Sequence, residues 1–187
     1  MLLKPAQWRR QSIGAVFSRW LLSLVLALLT VFVDQVSKAW VCASLPLGSE
    51  RAIFGGLFYL KHVRNYGIAF GVASELGSVL LLICIASLIV LLIFAGRLAC
   101  GHPAGAFALG LVLGGGLGNM IDRVFRGSVV DFIDLRVWPV FNVADVAITV
   151  GMLCILVLSL FPKQTRNTQE GVCSEGDSQT RHGEHLQ

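Results

Sequence analysis

Asp131 and Asp145 stand at the heart of a stretch, Gly114 to Asp145, that holds four aspartates, two asparagines and three arginines between two long apolar runs. Carboxylates in so apolar a chain are costly and mark functional positions. Two carboxylates that meet in a low-dielectric site do not both ionise readily, so one pKa rises and the pair shares a proton. The ionised member takes a proton from water, and the neutral member gives one to a carbonyl or a leaving amine. Hydrolysis of a peptide bond needs those two roles, and needs neither a metal nor a covalent intermediate. The spacing permits contact without requiring it, because Asp131 lies in the connection that returns to the run carrying Asp145.

Other polar residues have competing readings. Asn142-Val143-Ala144-Asp145 reads as a helix N-cap with an acid at the third helical position, a capping box. That reading rivals catalysis for Asp145, and both hold if Asn142 caps the helix while Asp145 projects to the site. Asn119, Asp122 and Arg123, at i, i+3 and i+4, read as a structural or positioning cluster closing a helix, with Arg123 paired to a carboxylate. Asp34 and Lys38, at i and i+4, read as an ion pair or positioning pair. Asp134 and Arg136 read as surface charges. His62, His102, His182 and His185 form no HExxH pattern, so no metal site and no cofactor is expected. The serines lack a GxSxG context, and the glycines at 114–118 lack the Lys-Ser/Thr of a phosphate loop. The five cysteines show no CxxC pair and no disulfide framework, and Cys84 and Cys154 lie in apolar runs as packing residues.

The elements that must position these groups are membrane spans. Of 187 residues, 55% are hydrophobic and 14% charged, against about 25% charged in a soluble domain, and the mean hydropathy is +0.74. The net charge of +4 is scattered at the ends of apolar runs, which suits lipid headgroups and excludes a nucleic-acid stripe. The fold class expected is a membrane all-α bundle of four transmembrane helices, about 18–42, 76–96, 104–122 and 141–161. A small β-rich or amphipathic extramembrane element, 45–74, lies between the first two, marked by Pro46, several glycines and β-branched and aromatic residues. A basic N-terminal arm, 1–17, precedes the four-span domain, 18–161, and a polar, disordered tail, 162–187, follows it. The arm and first run also fit a signal peptide, but no small-x-small site closes the run and apolar character resumes to Ala43. The glycines at 105, 110, 114, 115, 116 and 118 read as tight helix packing. The segment 122–139 is either extended or a short helical continuation.

Four spans that alternate direction bring Asp34, Lys38, Asn65, Asn119, Asp122, Arg123, Asp131, Asn142 and Asp145 to one side of the membrane. Charge barely orients them: eight Lys and Arg fall on the N-terminal side and seven on the other. The basic cluster before the first span favours a cytoplasmic N-terminus.

Five motifs occur in a familiar order: Val33-Asp34-Gln35-Val36-Ser37-Lys38, Asn65-Tyr66-Gly67-Ile68-Ala69-Phe70, Gly114 to Arg123, Val129-Val130-Asp131-Phe132, and Phe141-Asn142-Val143-Ala144-Asp145. Through them, over roughly 20–161, the chain closely resembles the lipoprotein signal peptidases, the bacterial type II signal peptidases. The resemblance implies an aspartic endopeptidase of the inner membrane, with both termini cytoplasmic and the active site near the periplasmic face. It implies cleavage of the signal peptide from diacylglyceryl-modified prolipoproteins just before the lipidated cysteine, and inhibition by globomycin-type peptides. The family's catalytic pair falls on Asp131 and Asp145. Its supporting or substrate-binding positions fall on Asp34, Lys38, Asn65, Asn119, Asp122, Arg123 and Asn142. Ile68 and Gly116 stand where the family usually has alanine, and both keep an apolar or small residue. The partners implied are prolipoproteins and membrane lipid, with no nucleic acid.

Two readings from other classes compete. A small ion- or proton-coupled transporter would use the same intramembrane acids, but needs a polar path across the bilayer, whereas the runs 76–96 and 104–121 are charge-free. A non-catalytic scaffold gives no reason for two carboxylates at the membrane edge.

Overall fold

A computed structural model describes residues 13–66, 85, 86, 89 and 102–161. The N-terminal arm before Ile13, the span 76–96 apart from those three helical residues, Cys84, the 67–74 part of the extramembrane element and the tail 162–187 lie outside the described residues. Three described helices are long and apolar enough to cross a membrane: α1 (Ile13–Ser44), α2 (Pro103–Arg126) and α3 (Val143–Leu160). They overlap the expected first, third and fourth spans: α1 begins at Ile13 rather than 18, α2 runs on to Arg126 rather than 122, and α3 begins at Val143 rather than 141.

The 32 residues of α1 rise about 48 Å at 1.5 Å per residue, well beyond a hydrocarbon core of about 30 Å. Its buried positions, Ser23, Ala27, Thr30, Asp34, Lys38 and Val41, recur every three or four residues and form one stripe. Helix α2 lies between α1 and α3. His102 caps its start, accepting the Ala104 N–H at 3.0 Å, Pro103 takes the first turn where no N–H is missed, and Gly127, at φ 70°, ends it.

The glycines of α2 let the helix backbones touch. A Cβ at Gly114 would lie 2.7 Å from the Ala27 carbonyl of α1, and one at Gly115 would lie 2.5 Å from the Ala144 carbonyl of α3. The close-packing reading of this glycine run holds. We expect Gly114→Ala to cost about 1–3 kcal/mol through overpacking, read as a lower midpoint of thermal unfolding in detergent. Gly14→Ala, where the space is open, leaves the midpoint unchanged.

The extramembrane element contributes β1 (Glu50–Ile53), a 3₁₀ turn (Phe54–Gly56) and β2 (Phe58–Asn65). The segment after α2 is extended: β3 (Val129–Asp134) joins them in an antiparallel sheet of order β1-β2-β3. Asp131 pairs with Val63 and Val129 with Asn65, so the sheet sets Asp131 against the end of β2. The register shifts between Leu60 and Val63. There the backbone of His62 bonds Gly48 and Ser49, and its ring Nδ1 donates to the Leu45 carbonyl at 2.9 Å. The bulge thus fastens β2 to the exit of α1.

Candidate active site

The site begins with a buried cation. Lys38 Nζ lies 2.8 Å from Asp34 Oδ2, 2.9 Å from Asp122 Oδ2 and 2.9 Å from Asn119 Oδ1, and the three ionic side chains are fully buried. All three donors of the ammonium are used. Arg126, a turn beyond Asp122 on α2, pairs with Asp122 Oδ1 and donates to Gln35 Oε1 at 3.0 Å. Gln35 Nε2 in turn donates to Asp122 Oδ1 and to the Gly118 carbonyl, each at 3.1 Å. Two anions are therefore matched by two cations. Such a cluster survives desolvation, which costs several kcal/mol per ion, only when its geometry is this complete.

The same carboxylates reach out to the backbone beside each of the two candidate acids, Asp145 and Asp131. Asp34 Oδ1 accepts the Ala144 N–H at 2.9 Å, at the start of α3, and Asp122 Oδ2 accepts the Val130 N–H at 3.1 Å, on β3. A negative oxygen at a helix N-terminus is also favoured by the helix dipole. Gly118 is required here, since a Cβ would sit 2.6 Å from Asp34 Oδ2.

Amides then hold the two candidate acids. Asp131 is 2% exposed and accepts from Asn142 Nδ2 at 2.7 Å and from Asn65 Nδ2 at 2.8 Å. Asp145, half-buried, accepts from Asn119 Nδ2 at 2.8 Å. The capping box is present in full: Asn142 Oδ1 accepts the Asp145 N–H at 3.0 Å, and Asp145 Oδ2 accepts the Asn142 N–H at 3.2 Å. The cap and the projection of Asp145 toward the cluster occur together. Burial raises the pKa of Asp131, the Asn65 and Asn142 hydrogen bonds pull it down, and the nearby Asp145 charge pushes it up, with Lys38 opposing.

Asp34, Lys38, Asn65, Asn119, Asp122, Asp131, Asn142 and Asp145 therefore form one connected cluster. Arg123 departs from expectation: its Nη1 donates to the backbone carbonyl of Asn119 at 3.2 Å, and the carboxylate partnership belongs to Arg126. Gln35 and Arg126 were missed. Arg126 is i+4 to Asp122, the same spacing that revealed Asp34 and Lys38, and Gln35 is the polar neighbour of Asp34 within the apolar run. Asp134 is no surface charge. It is 5% exposed and accepts the Arg136 N–H at 2.8 Å, while Arg136, the exposed member, bonds Glu50 at 2.6 Å and covers the Tyr59 ring at 3.6 Å.

Apolar helices long enough to span a bilayer, set around one buried and one half-buried acid, mark a multi-pass membrane protein. The model of the family "Signal peptidase (SPase) II" matches residues 26–161, and the chain belongs to that family of peptidases. A lipoprotein signal peptidase of Syntrophomonas wolfei is 46% identical over 134 residues, covering 71% of this chain and 89% of its own length. One of Moorella thermoacetica is 39% identical over 139 residues, covering 74% and 93%. A solved structure described as a bacterial membrane enzyme, determined in meso at 2.3 Å, superposes with a TM-score of 0.69 at 30% identity, covering 86% of this chain and 96% of that one. Family membership leaves the transporter reading without support.

Proposed function

We propose that Asp131 and Asp145 are the catalytic dyad with which this signal peptidase II removes the signal peptide from diacylglyceryl-modified prolipoproteins, just before the lipidated cysteine. The observation that carries it is Asn142, whose amide donates to Asp131 while its cap exchanges two bonds with Asp145. One residue thereby fixes the two acids relative to each other. The buried Asp131 holds the shared proton, and the more exposed Asp145 takes a proton from the attacking water. Asp131 gives its proton to the scissile carbonyl oxygen as the tetrahedral diol forms; as that diol collapses and the C–N bond breaks, Asp145 gives the proton taken from water to the leaving amine and Asp131 takes back a hydroxyl proton. Asp34, Lys38, Asn119 and Asp122 position the dyad, joined by Asn65 and Asn142 from either side. Arg123 lies a turn from Asn119 and is assigned to substrate.

In this reading 76–96 is the second of four spans, both termini are cytoplasmic and the cluster faces the periplasm of the inner membrane. The domain layout is that of an arm (1–17), a four-span peptidase (18–161) and a tail (162–187). Globomycin-type peptides occupy the site. The test is purified protein incubated with a prolipoprotein in diacylglyceryl-modified and unmodified forms. Product is expected from the modified form, and its absence in several detergents counts against the assignment.

The pH profile separates the two acids. Asn65→Ala removes a donor that favours ionised Asp131, so the Asp131 pKa rises further. The limb of kcat/KM that reports deprotonation of Asp131 then moves to higher pH, with kcat/KM reduced about tenfold. A limb that stays in place or moves down contradicts the role given to Asp131.

A further inference from the structure

On α1, Phe32, Val36, Trp40 and Ser44 follow one another at i+4 and are all exposed, so they form a single ridge along the helix. The ridge is apolar along the membrane-spanning part, and it ends in a cleft. That cleft, of 390 Å³, lies between the last turns of α1 and the β1 hairpin, with Trp40, Ser44, Leu45, Arg51, Ile53 and Phe54 in its wall. The lining is apolar except at Ser44 and Arg51. Arg51 is exposed and makes no ion pair among the described residues, because its neighbour Glu50 is taken by Arg136 and Lys61. Trp40, 58% exposed, stands where the exposed apolar ridge meets the cleft, and tryptophan is a residue that favours the boundary between hydrocarbon and headgroups.

We propose that this cleft is a binding site for one anionic glycerophospholipid of the surrounding bilayer. Its acyl chain lies along the Phe32–Val36–Trp40 ridge, and its phosphate meets the Arg51 guanidinium, which pairs with phosphate in a planar, two-donor geometry. Two separate observations choose this occupant. The cleft is continuous with an exposed apolar ridge on a helix long enough to span a bilayer, which supplies the surface for the chain. The one charged side chain in its wall is a cation with no ion-pair partner among the described residues, which selects the headgroup. A neutral diacylglyceryl group satisfies the first and leaves Arg51 unmatched. Bound there, the lipid joins the end of α1 to β1, and so braces the sheet that carries Asp131 on its far strand.

Native mass spectrometry of the full chain in detergent, titrated with phosphatidylglycerol or phosphatidylcholine, tests this. One phosphatidylglycerol is expected to remain bound, with phosphatidylcholine held more weakly. Arg51→Glu is expected to weaken phosphatidylglycerol about tenfold and to leave phosphatidylcholine unaffected. Ser44→Trp, which fills the cleft from its helical wall, is expected to remove both lipids without touching the charge. Lys61→Glu, a charge reversal on β2 outside the cleft, is expected to leave retention as in the parent. Equal retention of the two lipids by the parent, unchanged phosphatidylglycerol binding in Arg51→Glu, or an equal loss in Lys61→Glu each overturns the site.

Discussion

Asp131→Asn and Asp145→Asn are each expected to lower prolipoprotein cleavage by about two to four orders of magnitude, the range supplied by a positioned acid or base. Both proteins still accumulate in the membrane. The hydrogen bonds explain the second half of that expectation. Asp131 receives one amide donor on each oxygen, from Asn142 and from Asn65. An asparagine in its place offers one oxygen and one amino group, so a single donor is left facing another donor, at a cost of about 1–3 kcal/mol. Asp145→Asn meets the same mismatch between Asn119 and the Asn142 N–H. Because the two acids act as a unit, the double variant is hardly worse than either single one. Cleavage assays with membranes of matched protein content give the answer, and parental activity in either single variant removes the dyad.

The second large effect is on folding. Lys38→Met leaves Asp34 and Asp122 buried with Arg126 as their remaining cation, and breaking a buried pair in this way costs about 3–5 kcal/mol. The loss reaches both acids at once, because the Asp34 and Asp122 oxygens also hold the Ala144 and Val130 N–H groups. We expect a lower unfolding midpoint in detergent and reduced accumulation. Adding Asp34→Asn to Lys38→Met returns the cluster to one anion and one cation, and recovers part of the midpoint. A Lys38→Met protein as stable as its parent, or a double variant less stable than the single one, shows that the cluster is not held by charge.

Much of this site was legible because membrane helices write their chemistry plainly. In an apolar run each polar residue stands out, so Asp34, Lys38, Asn119 and Asp122 announce themselves, and the Asn142–Asp145 box follows from local capping rules. The sheet was harder to read. β2 and β3 are separated by α2 and by the chain before it, and pairing over such a distance leaves no local signal. β3 is also buried on nearly every residue, so the period-two alternation that marks a half-exposed strand is missing and extended could not be told from helical. The same burial hid Asp134. The expected pairing of Arg123 with a carboxylate failed on angle: residues i and i+1 point about 100° apart on a helix, and it is Arg126, at i+4, that stacks over Asp122. Arg123 follows that geometry too, since it bonds the carbonyl of Asn119, four residues before it.

The antiparallel pairing of β3 with β2 has a consequence for biosynthesis. Asn65 and Lys38 are made early, whereas Asp131 and Asp145 leave the ribosome after most of the chain. The first acid finds its strand partner only once α2 is in place, and the second is capped only when α3 begins. On the dyad proposed above, a nascent chain is without hydrolytic power until the last step of its own assembly.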